Sequence, residues 1–350
     1  MDTLFGKTLS ELGNICEEFS MPAFAAKQMA DWLYKKGVSS IAEMTNLSLK
    51  NREKLAEHYV IGLISPLSCA VSKDGTKKYL YKYGEKDFVE AVMIPDKDRV
   101  TLCVSTQVGC KMNCQFCATA RQGFKRNLTC NEILNIIRSL PEYSAITNLV
   151  YMGMGEPLDN YDNVIRSIEV LTSDWGFGMS GRRITVSTSG LLPKLKNFLD
   201  STNVHLAISL HNPISEERKR IMPIEKSFKI EDVVALLKLY DWHGQRRLTF
   251  EYIVFEGLNN QKRHVSALLR LLNGLDCRVN LIRFHTIPNT PFISAKEESM
   301  VALRDSLNKH GMICTIRASR GEDILAACGL LSTKKSAKVM FSSAMRRDAR

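Results

Sequence analysis

The chain has 350 residues, 45% of them hydrophobic and 24% charged, a composition that excludes a disordered or fibrous protein and allows one large domain or two unequal ones. No apolar run approaches the roughly 20 residues of a membrane span. The start, Met1-Asp2-Thr3-Leu4-Phe5, lacks the basic and apolar regions of a secretory signal, so a cytoplasmic protein with no membrane partner is expected. The formal net charge of +11 favours a polyanionic partner.

Residues 1–65 read as a small helical domain. Leu9, Leu12, Ile15 and Cys16 recur at helical spacing, as do Ala26, Met29, Ala30 and Leu33. With seven Lys/Arg against eight Asp/Glu this segment is no basic patch. Residues 66–100 form a β extension. Asp74-Gly75 signals a hairpin turn before Lys78–Tyr83, and Gly84-Glu85 a second turn before Phe88–Ile94, which carries Glu90. From 101 to 330 strands alternate with helices. Runs rich in Val, Ile, Thr and Leu lie near 101–105, 147–151, 183–187, 204–209, 248–255, 279–283 and 312–317. Helical patterns lie near 130–140, 160–172, 230–240, 262–273 and 297–310, and Thr129-x-x-Glu132 is a capping box for the first. Six or seven such units predict an α/β fold with a parallel sheet, wrapped by right-handed crossovers into a full or partial barrel. Chemistry then gathers where the strands end, around Gly109–Cys117, Gly153–Pro157, Ser187–Gly190, Ser209–His211, His285 and Ser319–Cys328. Residues 331–350, with six Lys/Arg and one Asp, form a basic tail, either a phosphate-seeking arm or a solvated flexible end.

Ten cysteines are many for a reducing compartment, where they signal metal binding or catalysis more than disulfides. Cys16, Cys69, Cys130, Cys277 and Cys314 are scattered and read as buried apolar residues or inert surface thiols. Cys110-Lys-Met-Asn-Cys114-Gln-Phe-Cys117 is different. Three thiolates this close can hold three irons of one 4Fe-4S cluster. The fourth iron stays open, as a catalytic metal requires, and S-adenosylmethionine (SAM) can chelate it through its amine and carboxylate. The alternative is zinc, for which a fourth ligand is missing nearby; Cys103 is conceivable but sits in an apolar strand.

The triplet, with Phe116 before its last cysteine, resembles that of radical SAM enzymes. Thr101–Cys110, Met152–Pro157, Val186–Gly190, Ala207–His211, Arg320–Asp323 and Ala326–Gly329 occur in the same order as in the RlmN/Cfr family of RNA adenine methyltransferases, a likeness spanning about residues 1–330. The resemblance implies a radical SAM partial (β/α) barrel, with residues 1–65 as an RNA-binding accessory domain and the protein a monomer. Cys110, Cys114 and Cys117 become cluster ligands. Gly155 and Glu156 become the grip on the SAM amino group. Ser187, Ser209, Leu210, His211 and His285 become further SAM contacts, although His285 stands where the family usually has Asn. Cys328 becomes the cysteine that is methylated, Cys103 its resolving partner and Glu90 the general base. The implied activity is methylation of carbon 2 of an adenine in 23S rRNA and of the adenine 3′ of certain tRNA anticodons, using two SAM per turnover and an electron donor such as flavodoxin or ferredoxin. Methylation at carbon 8, and a radical SAM enzyme acting on a small molecule or peptide, are the alternatives. Lys111, Arg121, Lys125 and Arg126, just beyond the triplet, are candidate phosphate contacts or a solvated face.

Overall fold

The computed structural model describes residues 1–244 and 246–333; the basic tail beyond residue 333 therefore lies outside the described residues. The chain opens with β1 (Asp2–Thr3), α1 (Leu9–Glu18), α2 (Ala25–Ala30), a π-helical turn Asp31–Lys36, α3 (Leu49–His58) and β2 (Tyr59–Val60). Parallel pairing of β1 with β2 closes this segment on itself, a pairing that the helical reading did not foresee. Strands β3 (Ser68–Val71), β4 (Lys77–Lys82) and β5 (Phe88–Asp96) follow as an antiparallel meander. Its first turn falls at Asp74-Gly75, where Gly75 has φ +84°.

The meander continues into β6 (Arg99–Cys103). A small antiparallel pair comes next, β7 (Gln107–Gly109) with β8 (Phe124–Asn127), separated by α4 (Ala118–Arg121). Then the β–α alternation runs through α5 (Cys130–Arg138), β9 (Asn148–Tyr151), α6 (Tyr161–Thr172), β10 (Ile184–Thr188), α7 (Leu192–Ser201), β11 (His205–Ser209), α8 (Ser215–Ile221), α9 (Ile230–Leu237), β12 (Leu248–Val254), α10 (Lys262–Leu271), β13 (Arg278–Arg283), α11 (Glu297–Lys309) and β14 (Ile313–Ile316). One ten-stranded sheet results, in the order β14-β13-β12-β11-β10-β9-β6-β5-β4-β3. The seven strands from β6 to β14 in that order are parallel. Since β14 and β3 stay at opposite edges, the barrel is partial.

Each parallel strand buries apolar residues between polar positions such as Thr185, Ser187, Glu251 and Asn280. Leu149, Val186, Leu206, Phe250 and Leu281 are fully buried. Helix α5 begins with the expected capping box: Glu132 N–H donates to Thr129 Oγ1 (3.2 Å) and Thr129 N–H to Glu132 Oε2 (2.9 Å). The N-terminal helices are fastened to the barrel by polar groups. Asn135 on α5 exchanges hydrogen bonds with both backbone groups of Ile64 (2.8 and 2.9 Å), and Arg166 on α6 pairs with Glu11 at 2.6 Å. Of the five scattered cysteines, Cys16, Cys130, Cys277 and Cys314 are buried and Cys69 is exposed.

Candidate active site

The triplet lies in the loop that joins β7 to β8, whose two ends meet at glycines. Gly109 has φ +79°, and a Cβ there would stand 1.7 Å from the Gly123 carbonyl oxygen. That close approach directs the next residue, Cys110, into the barrel mouth, and its N–H donates back to Gly123 (3.2 Å). Gln115 N–H donates to the Ile221 carbonyl beyond α8 (2.9 Å), so the loop is tied across the mouth. Cys110, Cys114 and Cys117 all line one cavity of about 370 Å³ at the C-terminal ends of the strands. Burial pushes the Cys110 thiol up to about 12, and burial plus the charge of neighbouring thiols raises Cys114 and Cys117.

Gly155, Glu156, Ser187, Ser209, His211 and His285 line the same cavity. Glu156 is almost fully buried. Its Oε2 accepts from Ser189 N–H and Oγ (2.8 and 2.9 Å) and its Oε1 from Leu158 N–H (3.1 Å). The side chain thus ties the loop after β9 to that after β10, while the Glu156 N–H donates to Gln107 Oε1 (2.9 Å). His211 has φ +56°, uncommon for a non-glycine residue. Its Nδ1 accepts from Ile253 N–H (3.0 Å), so the neutral ring carries its proton on Nε2. Burial, helped by the Arg218 charge, lowers its pKa to about 3. Leu210, by contrast, is not part of the lining. Its side chain is wholly buried in the core, and only its backbone is near the site.

That backbone is held by a residue the sequence reading missed. Arg218 on α8 is completely buried and donates to the carbonyls of Ser189 (3.0 Å), Ser209 (2.8 Å) and Leu210 (3.0 Å), while Glu225 neutralises it. One guanidinium fork therefore fixes two strand-end loops. An arginine in the polar run Ser215-Glu-Glu-Arg-Lys-Arg220 reads as a surface residue, so the sequence carried no signal for it.

Cys103, at the end of β6, and Cys328 face the cavity from opposite ends of the described core sequence. Burial pushes the Cys103 thiol up to about 12, with the Cys328 charge adding to it and Arg317 opposing. Arg317 also approaches Met152 Sδ (3.6 Å) and Glu251 (3.9 Å). His285 Nε2 and Ser319 Oγ are 3.1 Å apart, joining the strand-end residue to the segment that leads to Cys328. That segment is anchored to the β3–β4 turn, where Asp74 accepts from Gly321 N–H (2.9 Å). Glu90 is not in the lining. It is fully buried on β5, with Oε1 3.2 Å from Lys78 Nζ and Oε2 accepting from Ser332 N–H (2.9 Å). The stretch just after Cys328 lies over it.

Residues 104–269 match the Radical SAM superfamily, and residues 3–61 match the ribosomal RNA large subunit methyltransferase N-terminal domain. A probable dual-specificity RNA methyltransferase RlmN from Bacteroides fragilis is 56% identical over 332 residues, 95% of this chain and 96% of that protein. The chain belongs to the RlmN family of radical SAM RNA methyltransferases. A dual-specificity RNA methyltransferase RlmN from Syntrophus aciditrophicus is 43% identical, over 93% of this chain and 95% of its own length. The crystal structure of a radical SAM methyltransferase from Sphaerobacter thermophilus superposes with a TM-score of 0.88 at 35% identity, covering 95% of this chain and all of that one.

The RlmN family's cofactors are SAM and a 4Fe-4S cluster, and the cavity fits both. Three thiols gathered on one cavity offer soft sulfur donors that suit iron. Among the described residues no three His, Cys, Asp or Glu side chains converge as a single metal ion requires, whereas each thiolate of a cubane binds its own iron. Beside them, backbone strand ends, Ser187, Ser209 and a neutral imidazole offer hydrogen-bonding groups for a polar ligand. The four basic residues beyond the triplet are engaged within the chain. Lys111 pairs with Asp159 (2.9 Å), Arg126 with Asp87 and Glu132 (2.6 and 2.8 Å) and Lys125 with Asp87, and Arg121 donates to the carbonyls of Pro288 and Asn289 (2.5 and 2.7 Å). Lys111 and Lys125 are still half-exposed, as the solvated-face reading has them.

Proposed function

We propose that this enzyme methylates carbon 2 of an adenine in 23S rRNA, and of the adenine 3′ of the anticodon in certain tRNAs, through a methylated Cys328. The observation that carries this reading is the meeting of Cys103 and Cys328 on the cavity that the thiol triplet lines. Two thiols from distant parts of the chain beside a radical-generating site have a use only if sulfur takes part covalently. The relatives' printed specificity, dual and for RNA, supports the choice of substrates.

Cys110, Cys114 and Cys117 hold the cluster, with SAM against Gly155, Ser187, Ser209, His211 and His285. Bound together these groups supply a methyl group to a thiolate and, from a second SAM, a radical able to take a hydrogen atom. The chain's own residues do the rest. Cys328 sulfur accepts the methyl group and, once activated, bonds through that carbon to the electron-poor ring carbon. Glu90 removes the ring proton. The adduct's unpaired electron returns to the reducing chain that supplied it. Cys103 sulfur then attacks Cys328 sulfur, and the carbon–sulfur bond breaks with its electron pair passing to the adenine side. That carbon takes up a proton to complete the methyl group, and the methylated adenine leaves as the disulfide forms; an external thiol or protein reductant restores both thiols. For Glu90 to act, Ser332 must release its carboxylate, so the segment carrying Cys328 shifts during turnover. An electron donor of the flavodoxin or ferredoxin kind, action as a monomer and a cytoplasmic site complete the proposal.

The test is anaerobic reconstitution with iron, sulfide, SAM and reductant, with protein-free 23S rRNA and tRNA supplied in separate reactions, followed by nucleoside mass spectrometry. The reading requires 2-methyladenosine. A product at carbon 8, or methylation of neither RNA class, would overturn it.

A further inference from the structure

The opposite end of the barrel lies away from the cavity that the thiol triplet lines, and it is built from residues at the starts of all seven parallel strands. A cavity of about 600 Å³ there is lined by Arg99 (β6), Asn148 (β9), Thr185 (β10), His205 (β11), Arg247 and Leu248 (entering β12), Arg278 (β13) and Ile313 (β14), with Arg182 and Arg246 from the adjoining loops. Five arginines thus converge, and the lining contains one carboxylate, Asp276, which pairs with His243 at 3.1 Å.

We propose that this pit is a second ligand site, which binds a phosphate-bearing anion. Among the described residues none of the five arginines makes an ion pair with an acidic side chain, although the chain places such pairs on twenty other occasions. Arg246 spends both terminal nitrogens on the Leu199 carbonyl (3.2 and 3.1 Å), and its buried Nε has no partner. Arg247 is pushed down by burial and by the charges of Arg278 and Arg99. Gathering five like charges around a single lining carboxylate costs free energy unless an anion from outside offsets it. The donor geometry suits phosphate, since guanidinium forks match tetrahedral oxyanions in pairs. His205 adds a neutral donor: its Nδ1 accepts from Arg247 N–H (3.0 Å), which leaves the proton on Nε2. Asn148 and Thr185 contribute neutral polar groups. The arginines lie 179 positions apart at the extremes, so no linear basic motif announces them. The phosphate has two possible sources with the same chemistry, a small soluble polyphosphate or the backbone of the substrate RNA.

The double variant Arg182→Gln/Arg278→Gln removes two exposed guanidiniums that no described ion pair uses. Lys229→Gln/Lys238→Gln, at the two ends of α9, removes the same charge at exposed positions that line neither cavity. Each protein, as reconstituted full-length enzyme, is titrated calorimetrically with tripolyphosphate at about 0.15 M salt, and its affinity for 23S rRNA fragments and tRNA is measured against salt. A soluble ligand predicts one saturable tripolyphosphate site, weakened at least ~10-fold in the arginine variant alone, with RNA affinity unchanged. An RNA backbone ligand predicts weaker RNA binding in that variant and a salt slope lower by about 1.5–2. The proposal fails if neither ligand distinguishes the arginine variant from wild type, or if the lysine variant loses as much as the arginine variant. Thermal melts matched to wild type exclude misfolding, and an Arg182→Lys/Arg278→Lys pair that also loses binding would confine the effect to guanidinium geometry, still in the site's favour.

Discussion

Arg218→Ala is expected to destabilise the barrel mouth more than any surface substitution. The guanidinium is fully buried, pairs with a carboxylate that is also buried, and donates to three carbonyls. Removing one partner of such a pair leaves the other charge without compensation and costs about 3–5 kcal/mol. The orphaned carbonyls of Ser189, Ser209 and Leu210 each add on the order of 1 kcal/mol where water cannot reach them. These costs overlap, so about 4–6 kcal/mol is the expected total, a large share of the roughly 5–15 kcal/mol that holds a protein folded. Urea unfolding of the cluster-free protein measures it, since a bound cluster would obscure the transition. Arg218→Met combined with Glu225→Leu removes both charges, and the pair should recover at least ~2 kcal/mol relative to the sum of the single changes. SAM affinity should fall in each case, because Ser209 and the backbone of Leu210 lose their fastening. A single-variant loss below about 1 kcal/mol would refute the assignment of Arg218 as the buried brace of the two loops.

Three further outcomes follow. The depressed His211 pKa gives stability that is present above about 6.5 and lost as pH falls toward about 3, because only the unfolded chain protonates in that window; at most roughly 4–5 kcal/mol is at stake. Acid titration of the cluster-free protein should show it, and His211→Gln should flatten that part of the curve. Glu90→Gln should cut methyl transfer to RNA by about 10²-fold or more while leaving Cys328 methylation intact, as read by peptide mass spectrometry; equal loss of both would contradict its role as base. Gly109→Ala forces a Cβ against the Gly123 carbonyl at positive φ, so it should cost about 3 kcal/mol or more and lower iron content per chain, and an unchanged iron content would count against the hairpin as the feature that aims Cys110.

The parallel strands could be read from the sequence because each is a short run rich in Val, Ile, Thr and Leu, and α5 because its capping box is local. Helices α7 and α8 were not read. The first carries Leu195, Phe198 and Leu199 at helical spacing behind Pro193, a stripe the reading passed over, and the second is almost wholly charged and shows none. Strands β7 and β8 are only three and four residues long and owe their existence to Gly109 and Gly123 meeting. At the site, motif order picked out the residues that line the cavity, yet it could not show how their polar atoms are spent. Glu156 binds Ser189, Leu210 faces the core and Glu90 lies beneath Ser332. Lys125 and Arg126 share Asp87, a partner some forty residues away. Long-range pairing of this kind leaves no trace in local spacing, and neither does a basic pit assembled from the first residues of separate strands.

The central claim is that Cys328 carries the methyl carbon to RNA and Cys103 sets it free. Cys103→Ala, incubated anaerobically with SAM, reductant and rRNA, tests it directly. The account predicts a covalent protein–RNA adduct that digestion and mass spectrometry map to Cys328 and an adenine. Free turnover by this variant, or an adduct on another residue, would contradict it.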